Sequence, residues 1–548
     1  MAYASKAYDA ARLQKMLGRI PAYKPTSGSF KQEAQREEAA NEAANLILKK
    51  KMGIEDAKHL VSEKYHIPFL KNSEILKFVP QSHRKLREKL LKSPTRTLSG
   101  VSPIAIMPPP APCGGSCIYC PKGEGAPQSY TGFEPTTMRA IQNGYSASRQ
   151  INARIAQYLS QGHKVDKCHL IIMGGTFLYG FDAAARHSFM KEAFETLNKK
   201  KASSLKEAID QNEFAPHKAV GVTFETRPDF GLQPHADEML LMGGTQVELG
   251  VQALSNRVYK IVKRGHSIAD VIASTQALKD SGFKVCYHMM PGLFSTPSQD
   301  LSYFRKLFSS QDFQPDMLKI YPALVLRGTG LYQLWKQGKF SPYDTWKAAE
   351  VIAQATAFIP PYVRVMRIQR DIPSPLVEAG VKNSNLAQIV EEKLRQMGRK
   401  CRCIRCREAG AAQRKSQTLR PLKLELQRMD YKASGGKEIF LSFEDSSQDV
   451  LAGFLRLRLP GKPHRPELED ACVIRELHVY GQEVAIGVRE QGKLQHKGIG
   501  SRLLSAAEEI AKEEFGTSRL CVISGPGARG YYRKKGYFLA GPYMAKNL

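Results

Sequence analysis

Short apolar, β-branched runs recur through the middle of the chain, separated by long segments with helical spacing. They are VSPIAIM at 101–107, CHLIIM at 168–173, AVGVTF at 219–224, QVELGV at 246–251, KVCYHMM at 284–290 and MLKIYP at 317–322. Runs this apolar suit strands buried on both faces, and parallel strands need helical connections of that length. Six βα units predict a partial barrel, and YVRVMRI at 362–368 reads as one more strand before the repeat stops. From 421 the texture changes: LKLELQRMDY, KEIFLSFED, GFLRLRL and ACVIRELHVY alternate apolar with polar at period two. That alternation predicts an antiparallel sheet with one solvated face. Upstream, 31–64 is rich in strong helix formers with apolar residues at helical spacing, which predicts small helices. The fold class expected is α/β: a partial (β/α)6 barrel fused to a C-terminal α+β domain, with an N-terminal helical basic region. The boundaries expected are 1–97 for the helical region, 98–372 for the barrel, 373–420 for a basic linker and 421–548 for the second domain.

A chain of 548 residues exceeds one ordinary core, in keeping with that division. Lys and Arg number 81 against 52 Asp and Glu, a formal charge of +29, and a surplus that large points to a polyanionic partner, nucleic acid first. The basic stretch SHRKLREKLLKSPTRT places Arg84, Lys85, Arg87, Lys89 and Lys92 on a helix broken by Pro94, suited to a phosphate backbone or simply to a solvated face. No stretch is long and apolar enough for a membrane span, and the N-terminal residues lack the apolar core of a signal peptide. A cytoplasmic protein with no membrane partner is expected. The ten cysteines are too few and too clustered for a disulfide scaffold, and six of them form two tight groups.

The first group is MPPPAPCGGSCIYCPKG, with Cys113, Cys117 and Cys120 spaced C-x3-C-x2-C directly after a predicted strand. Three thiolates on a four-iron cubane leave one iron open to a substrate or cofactor. A zinc knuckle short of its fourth ligand and three unrelated thiols are the alternatives. The second group, CRCIRC, puts Cys401, Cys403 and Cys406 in a basic loop, where structural zinc with a further ligand from elsewhere is favoured over free thiols. In the C-terminal part a strand-like VAIGV leads into KLQHKGIGSRLLSAAEE. The run Gln495, His496, Lys497, Gly498, Ile499 and Gly500 there opens a helix. Helix N-termini present unpaired amides and a positive dipole end, and glycines let a diphosphate approach.

The triplet resembles the cluster loop of radical S-adenosylmethionine enzymes, and QSYTGFEPTTMRA, HLIIMGGTF, FETRPD, ELGVQ and VKRGHS resemble the Elongator catalytic subunit in the form found alone in archaea and bacteria. The glycine run resembles the Q/R-x-x-G-x-G loop of the GNAT acetyltransferases. The resemblance implies a radical enzyme barrel fused to a GNAT domain, and carboxymethylation of carbon 5 of the wobble uridine, position 34, of tRNA. It implies one [4Fe-4S] cluster on Cys113, Cys117 and Cys120, and S-adenosylmethionine near Gly174, Gly175, Thr176, Glu225, Arg227 and Gln252. It also implies acetyl-CoA as co-substrate at residues 495–500, with Tyr531 and Tyr532 of GARGYYRKKGYF near the thioester; packing is the alternative role for these tyrosines. Lys263 and Arg264 are expected to bind carboxylate or phosphate groups of a cofactor, Lys263 also taking part in catalysis, with an ion pair that only orders the barrel rim as the alternative for each. The basic helix with the rim residues Arg367 and Arg370 is expected to hold the tRNA anticodon stem-loop. A homodimer is compatible with this reading, and Elongator-type partner subunits are not required by the sequence. The rival reading is a protein-lysine acetyltransferase whose iron–sulfur barrel is structural.

Overall fold

The computed structural model describes residues 27–90, 100–410, 422–480 and 498–548. Their contacts group into two compact units, one of residues 8–102 with 152–166, the other of 103–151 with 167–548.

In the larger unit the apolar runs form one sheet: β1 (Ser102–Ile106), β2 (Lys167–Ile172), β3 (Lys218–Thr226), β4 (Gln246–Gln252), β5 (Lys284–Met289), β6 (Met317–Ile320) and β7 (Arg364–Ile368). They lie in sequence order, and each pair from β2 to β7 is parallel, so the sheet is an open partial barrel of seven strands. Six residues of β4 in succession are buried, the two-sided burial that its near-continuous apolar run required. The crossover helices are well started. Ser267 closes a capping box with Asp270, Thr296 closes one with Gln299, and the Asp344 side chain accepts from Lys347 N. The stretch expected as linker contains a helix, Leu386–Gln396, whose Leu386, Val390 and Leu394 are buried. Their i, i+4, i+8 spacing gives it an apolar stripe despite its basic composition.

The second sheet runs β8 (Glu425–Ala433), β9 (Gly436–Asp445), β10 (Val450–Leu459), β11 (Ala471–Val479), β12 (Arg519–Val522), β13 (Phe538–Ala540) and β14 (Tyr543–Asn547), in the order β8-β9-β10-β11-β12-β14-β13. All neighbours are antiparallel except the β11–β12 pair. One face carries Ile439, Leu441, Leu455, Leu457 and Ile474 onto the helix Ile499–Glu509.

The other face is not solvated. Glu438, Arg456, Arg458 and Arg475 are at most 1 % exposed, and they meet barrel residues in an ion network. Arg475 pairs with Asp316 at 2.6 Å, Arg458 with Asp280 at 2.5 Å, and Lys279 reaches Glu438 at 3.4 Å. The period-two polar positions therefore mark charges paired across a buried junction, which a single-strand pattern cannot distinguish from charges facing water. Tyr543 adds a hydroxyl donated to Ser281 O at 2.9 Å.

The smaller unit contains the helices Ser27–Lys50, Ile54–Lys64, Asn72–Leu76 and Arg84–Leu90. Its core is alanine-rich, with Ala39, Ala40, Ala43 and Ala44 packed with Val61, Ile75 and Leu90. Lys85 and Lys89 are exposed. Arg87 departs from the phosphate-facing role expected of it, because its guanidinium donates to Leu76 O and Val79 O and fastens the segment before the helix. The Arg84 side chain and Lys92 lie outside the described residues.

Candidate active site

The loop after β1 brings Cys113, Cys117 and Cys120 to the wall of a cavity of about 320 Å³, which Gly175, Thr176, Glu225, Arg227, Gln252, Arg367 and Arg370 also line. The three expected cluster ligands, five of the six expected S-adenosylmethionine residues and two expected rim residues thus meet in one place. Gly174 and Gly175, at the carboxyl end of β2, have φ of 118° and 89°, a region that L side chains avoid. A Cβ on Gly175 would stand 3.5 Å from Cys113 Cβ, so the glycine turn and the cysteine loop are in van der Waals contact. Gly115 is required more strictly, since a Cβ there would fall 2.1 Å from Arg227 Nη1. Arg227 is held by Asp229 through bonds of 2.9 and 2.8 Å. Arg370 donates to Ser129 O at 2.6 Å, and Arg367 pairs with Asp371.

The floor of the cavity holds charges that the sequence reading did not single out. Lys319 on β6 lies between two carboxylates, Glu225 of β3 at 3.4 Å and Glu248 of β4 in closer contact. His288 of β5 is hydrogen-bonded to Glu248 at 2.7 Å, and the Tyr130 hydroxyl donates to Glu225 at 3.0 Å. Burial pushes the Glu248 carboxyl up, but the Lys319 ammonium and the His288 hydrogen bond together hold it well below the usual carboxylate range. Burial pulls Lys319 down, yet Glu248, Tyr321 and Glu225 keep it well above the ordinary lysine value. A legible signal existed. QVELGVQ, VCYHMM and MLKIYP each carry one acidic or basic residue, Glu248, His288 and Lys319, inside a strand otherwise fit for complete burial, and such a residue needs a partner.

Arg264, expected beside Lys263 as a carboxylate or phosphate ligand, instead donates to Cys117 Sγ at 3.4 Å and to Gly250 O at 2.6 Å. Lys263 is exposed, with φ 54°, and does not line the cavity. Its expected place in the catalytic set is not supported by position.

In the second sheet's domain Gly498, with φ 72°, caps the helix Ile499–Glu509. The Ile499 side chain is committed to the core, which leaves its backbone amide for any ligand. Gln495, His496 and Lys497, with the strand-like VAIGV, lie outside the described residues. A Cβ on Gly500 would sit 3.2 Å from the Tyr531 hydroxyl, so this phenol stands at the glycine turn while remaining 36 % exposed. Tyr532 is corrected to a packing residue. It is buried among Ile499, Leu503 and Tyr537, with its ring edge-on to Tyr531 at 5.2 Å.

Cys401, Cys403 and Cys406 gather their sulfurs within 4.8 Å of one another, with Cys403 and Cys406 at 3.7 Å. Tetrahedral zinc with Zn–S bonds of about 2.3 Å sets thiolates about 3.8 Å apart, so the donor set and spacing fit that ion. The first triplet fits a cluster on different grounds: three thiols face one cavity beside two arginines, whose Arg227 Nη1 and Arg264 Nε are buried without a hydrogen-bond partner. Cationic walls of that kind suit thiolates and an anionic cofactor group.

A parallel partial barrel with a three-cysteine loop at its cavity, joined to an acetyltransferase-type sheet and glycine turn, defines a radical S-adenosylmethionine enzyme fused to a GNAT domain. Family models agree: the Radical SAM superfamily matches residues 108–307, the Radical_SAM C-terminal domain 315–396, and the Acetyltransferase (GNAT) family 411–537. The tRNA uridine(34) acetyltransferase of Methanocaldococcus infernus is 47 % identical over 489 residues, which is 87 % of this chain and 91 % of that one. Elongator complex protein 3 of Drosophila melanogaster is 42 % identical over 516 residues, 91 % of this chain and 93 % of that one. The solved structure of Methanocaldococcus infernus Elp3 with residues 1–46 deleted superimposes with a TM-score of 0.73 at 43 % identity, covering 82 % of this chain and all of that one. The chain belongs to the Elongator complex protein 3 / tRNA uridine(34) acetyltransferase family. Its radical domain implies a [4Fe-4S] cluster and S-adenosylmethionine, and its GNAT domain fits acetyl-CoA.

Proposed function

We propose that this protein converts the wobble uridine of tRNA, position 34, to 5-carboxymethyluridine, with acetyl-CoA as the carbon source. The observation that carries the reading is the single cavity lined by Cys113, Cys117, Cys120, Gly175 and the Glu225–Lys319–Glu248 floor, in a chain that also has an acetyltransferase glycine turn. Bound there, the cluster and S-adenosylmethionine supply a carbon radical strong enough to take hydrogen from the acetyl methyl, whose C–H is beyond side-chain bases. The acetyl carbon becomes attached to carbon 5, that carbon loses its proton, the adduct returns one electron to the one-electron carrier that supplied the first, and hydrolysis of the thioester by water leaves the carboxymethyl group and free coenzyme A. Gly174, Gly175, Thr176, Glu225, Arg227 and Gln252 form the S-adenosylmethionine side of the cavity in this reading. Gly498 and Gly500, with Gln495, His496 and Lys497, receive the acetyl-CoA diphosphate at the helix N-terminus, and Tyr531 faces its thioester. In this reading the paired charges of the floor hold polar groups of the reactants in fixed mutual orientation.

The domain limits that go with this reading are 1–97, 98–372, 373–420 and 421–548. Exposed Lys85 and Lys89 contribute to binding the tRNA backbone, so affinity should fall steeply with salt. No described helix is long and apolar enough to cross a membrane, in keeping with a cytoplasmic tRNA enzyme.

The test is anaerobic incubation of reconstituted protein with reductant, S-adenosylmethionine, acetyl-CoA and tRNA, followed by nucleoside mass spectrometry. Wild type should form 5-carboxymethyluridine, and Cys117→Ala should form none while still melting cooperatively. Equal modification by the two proteins, or acetylation of a lysine peptide with tRNA untouched, would overturn the reading.

Cys401, Cys403 and Cys406 hold a structural zinc in the same proposal. Metal analysis of aerobically purified protein should find one equivalent in wild type and none in Cys403→Ser, with a lower melting temperature for the variant. Zinc retained at full occupancy in Cys403→Ser would sink that assignment.

A further inference from the structure

Arg264 follows the helix Asn256–Ile261 in a turn where Lys263 and Gly265 both have left-handed backbone, φ 54° and 79°. That turn is stitched to the cysteine loop by Ile118 N donating to Val262 O at 3.1 Å. The guanidinium is fixed at two points: Nη2 donates to Gly250 O at 2.6 Å, and Nη1 donates to Cys117 Sγ at 3.4 Å. Arg264 is buried, and among the described residues no carboxylate pairs with it. A buried cation without a carboxylate partner keeps its charge for the groups it touches, and the side-chain atom that its Nη1 reaches is the Cys117 sulfur.

We infer that Arg264 is a positioning residue that sets the reduction potential of the cluster through its N–H···S contact with Cys117. This rests on the assignment of Cys113, Cys117 and Cys120 as cluster ligands. A donated hydrogen bond and a positive charge at a ligand sulfur both stabilise the extra electron of the reduced cluster, and hydrogen bonding to sulfur is one of the protein's levers on such potentials. Burial leaves the charge poorly screened. The two-point fixation matters because a flexible cation would solvate itself and exert a weaker, averaged field. Arg227 is compensated by Asp229 and packs against Gly115, and Arg370 donates to Ser129 O, so of the guanidiniums at the cysteine loop Arg264 is the one whose described hydrogen bonds include a ligand sulfur.

An anaerobic redox titration of the reconstituted full-length protein, followed by electron paramagnetic resonance without substrates, tests this, with iron and sulfide content measured on each sample. Arg264→Gln should shift the midpoint to more negative potential by at least tenfold in the reduction equilibrium, about 59 mV for one electron. Arg264→Lys keeps the charge without the two-point fork and should shift it the same way by less. A midpoint unchanged in both variants at wild-type iron content, or moved to more positive potential, overturns the inference. If the glutamine variant takes up no cluster, the lysine variant decides, and a loaded lysine variant at the wild-type potential overturns it. Wild-type protein that binds no iron and sulfide overturns the cluster assignment, and this inference with it.

Discussion

Lys319→Met should lose about 3–5 kcal/mol of stability, the usual cost of removing one partner from a buried ion pair, and its stability should fall as pH rises from about 5 to about 8 while that of the wild type does not. In the wild type, Glu248 is depressed well below the usual carboxylate range, so its stabilising contribution is complete above the unfolded value and is lost only as pH falls through the folded one. Lys319 is raised, so its contribution is complete below the ordinary lysine value and is lost only as pH climbs through the folded one. Neither titrates in that window. Without the ammonium, burial, the largest single influence on Glu248, is opposed chiefly by His288, and the carboxyl rises. The folded state then binds a proton that the unfolded state does not, and stability declines with rising pH. Urea unfolding at several pH values, read by circular dichroism, checks this. Parallel pH profiles for the two proteins would show that Glu248 does not depend on Lys319. Base modification should also be lost, because Glu225 and Glu248 would no longer be held together by the ammonium that bridges them.

How much of this was legible from the chain depends on what kind of information each feature carries. The barrel strands were readable because burial on both faces leaves little room for polar residues, and QVELGV is buried almost throughout. The cysteine loop was readable because its ligands are local in sequence. The Glu225–Lys319–Glu248–His288 floor was harder, since its members lie on four strands from β3 to β6 and only the topology brings them together. Tyr531 and Tyr532 are adjacent in a short helix, so no spacing argument could separate the one at the glycine turn from the one in the core. The second sheet shows the limit most clearly. GFLRLRL reads as one wet face and one dry face, but Arg456 and Arg458 are both 0 % exposed because acidic residues from β9, β11 and the barrel meet them. Alternation reveals which positions are polar; it does not reveal whether water or a partner satisfies them.

That buried junction carries the other large expected effect. Arg475 is its centre: it reaches Asp316 with both terminal nitrogens at 2.6 and 2.7 Å, Glu438 at 2.7 Å, and Phe283 O at 2.9 Å. Arg475→Met would remove the shortest bonds to Asp316 and Glu438 and leave those buried acids to the longer contacts of Lys279 and Arg456 and to Arg458, and it should cost about 3–5 kcal/mol. Since these bonds join the barrel to the second sheet, a single thermal transition should become two, with the acetyltransferase-type domain and the barrel unfolding separately. Lys279→Met should cost less. Its contacts are longer, 3.5 Å to Asp316 and 3.4 Å to Glu438, and burial pulls the ammonium down to about 8 against the attraction of those acids. Between that value and the ordinary lysine range the unfolded chain binds more protons than the folded one, so this residue makes stability rise with pH there. Lys279→Met should remove that rise, whereas Arg475→Met should weaken it, because the Arg475 guanidinium, itself protonated throughout, is one of the charges that hold Lys279 down. Calorimetry of both variants at about pH 8 and about pH 10 separates the two effects. A single unshifted transition for Arg475→Met would mean that apolar packing alone holds the two sheets together and that the ion network contributes only specificity of orientation.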